Sequence, residues 1–257
     1  MRRDEIRADI VEVGRRLYAR GLISGNEGNI SVLDGDDIHI TPAGVCKGFL
    51  SPDMIVRADR DGRKLEGRLN VSSETMMHTV IYARRTDVAA VVHAHPPTAT
   101  GFAVAGIPLD RPLIAEAVVA LGPVPIIPYG TPSTRELSEK VGAAICDAHG
   151  LLLANHGALA VGDSLPRAWE RMEMIEQLAK ITLTSRQLGH SQSLPEPAVE
   201  KLRDLRIKAG YPPPTCVDCP DCGCQVPVAE GDKLVLSREE LIRLVAEAVE
   251  QLSGVRT

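Results

Sequence analysis

The chain has 257 residues, of which 44% are hydrophobic and 25% charged, with a formal net charge of −5. This is enough apolar material for a sizeable core and excludes bulk disorder. The acidic balance argues against a nucleic-acid partner, and no apolar run nears the roughly 20 residues of a membrane span.

Aromatic residues make up only 3% of the chain, so the core is expected from Val, Ile, Leu and Ala. Met1-Arg2-Arg3-Asp4-Glu5 leads into an amphipathic pattern and not an apolar signal region. A cytoplasmic, reducing setting is therefore expected, in which the six cysteines need not be paired.

Residues 4–20 read as a helix, with Ile6, Ile10, Val13 and Leu17 at helical spacing and Gly21 as its C-cap. After a turn-rich stretch at 24–29 come strand-like runs at 30–33 and 37–41. Ser72 to Arg85 reads as a helix capped by Ser72 or Ser73. Val88 to His93 reads as a buried strand, followed by helical patterns at 97–105 and 134–148 around a strand at 124–127. Leu151 to Ala154 is a further buried strand, and Ser164 opens a long helix to about Leu188 with Pro166 in its first turn. The irregular alternation predicts an α/β fold with a mixed or antiparallel sheet flanked by helices.

Beyond residue 210 the composition changes. The expected division is a domain at 1–210, a Pro- and Cys-rich linker at 211–236 and an amphipathic helix within 237–257. Cys216, Cys219, Cys222 and Cys224 offer soft ligands for one structural zinc or an iron–sulfur cluster, or they remain reduced thiols or form reversible disulfides. Cys46 and Cys146 are expected to stand alone in core or loop.

Two histidines, His93 and His95, close a buried strand at a spacing of two, which places both on one face. His156, in Asn155-His156-Gly157, ends another apolar run. Three neutral imidazoles and one open position make the ligand set of a catalytic zinc site. Glu74, after Ser72-Ser73, is either a general acid/base beside that metal or a first-turn charge favoured by the helix dipole. The turns Gly28-Asn29-Ile30-Ser31 and Thr41-Pro42-Ala43-Gly44, with the Ser72 and Ser73 hydroxyls, suit a phosphate.

In this order and spacing, these motifs resemble the class II aldolase/adducin family over residues 4–210, and within it the L-fuculose-phosphate aldolases. The resemblance implies an α/β/α sandwich around a mostly antiparallel sheet, assembled as a homotetramer with sites at subunit interfaces. It implies Zn2+ on His93, His95 and His156. Glu74 becomes the proton-transfer group, and Gly28, Asn29, Gly44, Ser72 and Ser73 the phosphate-binding positions. The implied reaction is cleavage of a ketose 1-phosphate to dihydroxyacetone phosphate and an aldehyde such as lactaldehyde. Epimerases of the family typically carry Asp where Glu74 stands. Decarboxylases and a dehydratase share the scaffold, and adducin-like binding modules have lost the metal histidines. Two departures stand out. Ala43 replaces a frequent Thr, and residues 107–114 lack the tyrosine that the aldolases supply to a neighbouring subunit; Glu116 lies near by, and Tyr211 matches a second family tyrosine with a shift of two.

Residues 237–252 carry a capping box, Ser237 with Glu240, and an apolar stripe of Leu241, Leu244, Val245, Ala248 and Leu252. A helix this short needs a partner surface. It docks on its own domain, on a neighbouring subunit, or in a groove of another protein. A linker followed by such a helix is similar to the peptides that take enzymes into bacterial microcompartments, which makes a shell protein an expected partner. Residues 211–257 fused to a fluorescent protein should then form foci in a host making the shell, lost in Leu241→Glu or Leu244→Glu. Diffuse fluorescence from the parent fusion would remove the targeting role.

Overall fold

The computed structural model describes residues 3–217, which lie within the first of two units, Met1–Cys224 and Gln225–Thr257. The expected helix at 237–252 and Cys219, Cys222 and Cys224 fall outside the described residues. Among the described residues no helix is long and apolar enough to cross a membrane.

Helix α1 (Arg3–Ala19) is followed by β1 (Asn29–Asp34), β2 (Asp37–Ile40), β3 (Val56–Ala58) and β4 (Lys64–Glu66). Then come α2 (Thr75–Arg84), β5 (Ala90–Ala94), α3 (Pro97–Val104), α4 (Ala115–Ala120) and β6 (Ile126–Ile127). The rest is α5 (Arg135–Ala144), β7 (Gly150–Leu153), β8 (Gly157–Gly162), α6 (Leu165–Gln187) and α7 (Glu196–Lys208). The strands form one sheet in the order β4-β3-β2-β1-β5-β8-β7-β6. Among the described strands only the β6–β7 pair is parallel, so the expected mostly antiparallel sheet is present.

Strand alternation sorts the core onto two faces. Ile30, Val32, Val92, Ala158 and Ala160 pack with α1, α3 and α6 residues such as Ile10, Phe102, Trp169 and Ile175. Val91, Leu151, Leu153, Leu159 and Val161 pack with Met77, Ile81, Leu137 and Val141 of α2 and α5. The result is an α/β/α sandwich with β1 and β5 at its centre. Glu176 of α6 is buried and accepts from the Thr98 and Ala99 amides at 3.1 and 2.9 Å. A carboxylate there satisfies first-turn N–H groups of α3 and so fixes the chain just past the end of β5.

Three expectations change. The α2 helix begins at Thr75 and not at Ser72; Glu74 takes the N-cap position without a side-chain cap because its carboxylate is turned toward the histidines. Ser72 closes the preceding turn, its Oγ accepting from the Glu74 amide at 3.3 Å. Cys146 does not stand alone: it is joined to Cys216 across a separation of 70 residues, which also removes Cys216 from a ligand set confined to the tail. The segment up to Val217 lies along the end of α2, through a bridge between Arg85 and Cys216 and the Val217 amide donating to Arg84 O. Buried Arg85 holds that corner, paired with Asp87 at 2.7 Å and donating to the Ile145 and Ala148 carbonyls. Strands β3, β4 and β8 and helices α4 and α7 are additional to the elements expected from the hydropathy pattern.

His39 on β2 is fully buried, and neither ring nitrogen has a hydrogen-bond partner. Burial, then the charge of Arg7, lowers its pKa. The unfolded chain therefore binds a proton below the ordinary histidine pKa that the folded chain refuses, and stability falls as pH drops through that point. His39→Leu should flatten this loss by up to about 1.4 kcal/mol per pH unit below pH ~6.5. Urea midpoints at pH 7.5 and 5.5 check it, and an unchanged pH dependence would contradict it.

Candidate metal centre

His93 lies on β5 and His95 just past its end, and the ladder seats Leu159 of β8 opposite His93. His156 sits in the turn between β7 and β8, where Asn155 adopts φ +56°, a left-handed conformation that asparagine tolerates. Gly157 follows because a Cβ there would meet Ala94 O and the His95 ring, both at 2.6 Å. Gly28, at φ +70°, leaves the same kind of space, since a Cβ would lie 2.7 Å from His93 O. Both glycines let backbone press against the histidine strand.

The three rings form a near-equilateral triangle, with centroids 4.8–5.0 Å apart, and one nitrogen from each lies within 4.8 Å of the others. His93 Nδ1 is 2.9 Å from Ala158 O and must donate to it, which leaves the Nε2 of a neutral ring with a lone pair. That lone pair faces His95 Nε2 at 3.2 Å and Glu74 Oε2 at 3.3 Å. Glu74 Oε1 is 3.3 Å from His156 Nε2, yet Oε1 and His156 Nδ1 have no hydrogen-bond partner.

Burial, then the nearby His93, pushes His95 and His156 down to about 4, so both are neutral ligands at pH 7. Burial opposes the ionised Glu74, but His93, His156 and Asn29 outweigh it and hold the carboxyl below the ordinary range. Converging lone pairs and a carboxylate with an orphaned oxygen fit a divalent cation.

The turns expected to hold phosphate are laced together beside this cluster. Thr41 exchanges hydrogen bonds with Ile30, its amide to Ile30 O at 3.0 Å and its Oγ1 from the Ile30 amide at 3.1 Å. Pro42 bridges Val71, and the Ala43 amide donates to Asn70 O at 3.1 Å. Of the expected phosphate positions, Gly44 and Ser73 are exposed and Ser72 is buried. The Asn29 side chain is instead engaged within the protein, its Nδ2 donating to Glu74 Oε2 at 2.8 Å.

Glu116 and Tyr211 line a separate cavity of about 800 Å³ against α6, whose described walls include none of the three histidines. Two buried residues were not singled out by the sequence pattern. Lys47 donates to Asn26 O at 2.6 Å and is lowered in pKa by burial. His78 lies behind Asn29, pushed to about 3 by burial and by His93.

Residues 8–183 match the family model of the class II aldolase and adducin N-terminal domain. The chain belongs to the class II aldolase/adducin family. It is 33% identical over 199 residues to a 5-deoxy-D-ribulose 1-phosphate aldolase of Bacillus thuringiensis, covering 76% of this chain and 92% of that one. It is 31% identical over 181 residues to a 3-oxo-tetronate 4-phosphate decarboxylase of Escherichia coli, covering 68% and 85%. A solved L-fuculose 1-phosphate aldolase superposes with a TM-score of 0.73 at 30% identity, over 78% of this chain and 95% of that one. Family membership and the histidine triad together support a metal-dependent lyase class.

If the triad holds the cation, His93→Ala, His95→Ala and His156→Ala should each abolish stoichiometric zinc while circular dichroism stays native. Full zinc retention in any variant would remove that residue from the coordination shell.

Proposed function

We propose that the protein is a zinc-dependent aldolase that cleaves a ketose 1-phosphate to dihydroxyacetone phosphate and an aldehyde. L-Fuculose 1-phosphate, giving lactaldehyde, is the model substrate. The observation that carries this reading is Glu74 held between His93 and His156 at 3.3 Å from each, in the cluster that also contains His95. Ketose 1-phosphates in the names of two similar proteins, an aldolase of 5-deoxy-D-ribulose 1-phosphate and one of L-fuculose 1-phosphate, support the substrate class.

A divalent cation on His93, His95 and His156 supplies Lewis acidity for the oxyanion that develops as a C–C bond breaks. The chain's own residues do the rest. Gly28, Gly44, Ser72 and Ser73 hold the phosphate and fix the substrate's orientation, worth several kcal/mol of barrier. When the C3–C4 bond breaks, its electron pair stays with the phosphorylated three-carbon fragment. Glu74, with one oxygen anchored by Asn29 and the other without a hydrogen bond, takes the C4 hydroxyl proton as the aldehyde carbonyl forms and delivers it to C3. The resemblance further supports a homotetramer, and the pattern at 237–252 supports docking to a microcompartment shell.

A second reading, decarboxylation of a phosphorylated sugar acid, is favoured by the absence of tyrosine from residues 107–114 and by the similarity to the E. coli decarboxylase.

Zinc-loaded protein assayed with fuculose, rhamnulose, ribulose and 5-deoxyribulose phosphates should release dihydroxyacetone phosphate from at least one 1-phosphate. Release of CO2 from a sugar acid with no ketose cleaved would overturn the aldolase reading. Glu74→Gln should keep fold and metal and lose about 10²–10⁴-fold in rate. A near-parental rate would reduce Glu74 to a helix-terminus charge.

A further inference from the structure

Helix α2 and strand β1 meet in a layer of buried polar side chains. Glu74, His78 and Tyr82 stand four apart and fall on one face of the helix. Asn29 and Ser31 stand two apart and fall on one face of the strand. The two rows interleave into a single chain of hydrogen bonds. The Tyr82 hydroxyl is 2.6 Å from Ser31 Oγ, and Ser31 Oγ is 2.6 Å from His78 Nδ1. His78 Nε2 meets Asn29 Oδ1, and Asn29 Nδ2 reaches Glu74 Oε2 at 2.8 Å. Ser31 and His78 are fully buried, and Asn29 and Tyr82 nearly so.

The donor and acceptor roles are forced from one end. A carboxylate accepts only, so Asn29 must present its N–H to Glu74 and its carbonyl to His78. His78 Nε2 therefore carries a hydrogen. A buried ring with neutral hydrogen-bond partners stays neutral, so its Nδ1 is bare and takes the Ser31 hydroxyl hydrogen. Ser31 Oγ in turn accepts from Tyr82. Every donor points toward Glu74. Oriented donors in a low-dielectric interior reinforce one another.

We propose that His78 is a positioning residue for Glu74: backed by Ser31 and Tyr82, it fixes the Asn29 amide so that one N–H is permanently aimed at Glu74 Oε2. The other oxygen, Oε1, is left without a hydrogen-bond partner and free to work. The kinetic part of this proposal rests on Glu74 as the proton carrier; the tautomer does not.

The test is 15N-histidine NMR of the full chain, with kinetics per bound metal of His78→Phe and His78→Gln. At pH 7 His78 should be the neutral Nε2–H tautomer. His78→Phe should lower kcat by about 10–100-fold, the range for partners that orient a site residue, with KM within about twofold. His78→Gln, which restores an N–H donor to Asn29, should recover part of the loss. An Nδ1–H tautomer or a cationic ring in the parent protein overturns the proposal, and so does a folded His78→Phe protein with parental kcat. If the parent turns over no ketose phosphate, the aldolase reading fails, and the tautomer still decides the relay.

Discussion

The site depends on one hydrogen bond, from His93 Nδ1 to the carbonyl of Ala158 at 2.9 Å. It commits the ring to a tautomer whose other nitrogen is a bare lone pair, facing a second imidazole and a carboxylate at 3.2–3.3 Å. A buried lone pair beside a carboxylate and two further imidazoles is a ready donor to a divalent cation. The hydrogen bond exists because β5 and β8 are adjacent and antiparallel, with Ala94 opposite Ala158. The β5–β8 pairing therefore sets the orientation of the His93 ring.

The surrounding fold makes that orientation rigid. Gly28 and Gly157 let neighbouring backbone close on the histidine strand. Glu176 pins the start of α3 immediately after His95-Pro96. On the opposite side α2 brings Glu74 against the rings, and Asn29 holds one of its oxygens. Groups ordered before substrate arrives need no reorganisation during the reaction, which is where electrostatic catalysis gains most. The 41–44 turn is tied to β1 through Ile30 and to the segment before α2 through Asn70 and Val71.

Much of this is legible in the sequence because it rests on local periodicity. His93 and His95 share a strand face by spacing alone, and Asn-His-Gly after an apolar run marks a tight turn. What stays hidden depends on distant partners. The Ala- and Gly-rich run of β8 has little β propensity, and it is a strand because both faces of the sheet bury it. His78 looks like an ordinary polar residue on a helix until Asn29 and Ser31 are set opposite it. Ser72 has the composition of a helix cap, but it closes the turn before the helix, which starts at Thr75. No spacing rule links Cys146 to Cys216.

X-ray absorption at the zinc edge, on protein loaded with a single equivalent, tests the central claim most directly. The account predicts a nitrogen and oxygen shell at about 2.0–2.1 Å with imidazole scattering and no sulfur. A shell dominated by sulfur at about 2.3 Å would place the first metal among the cysteines and contradict it.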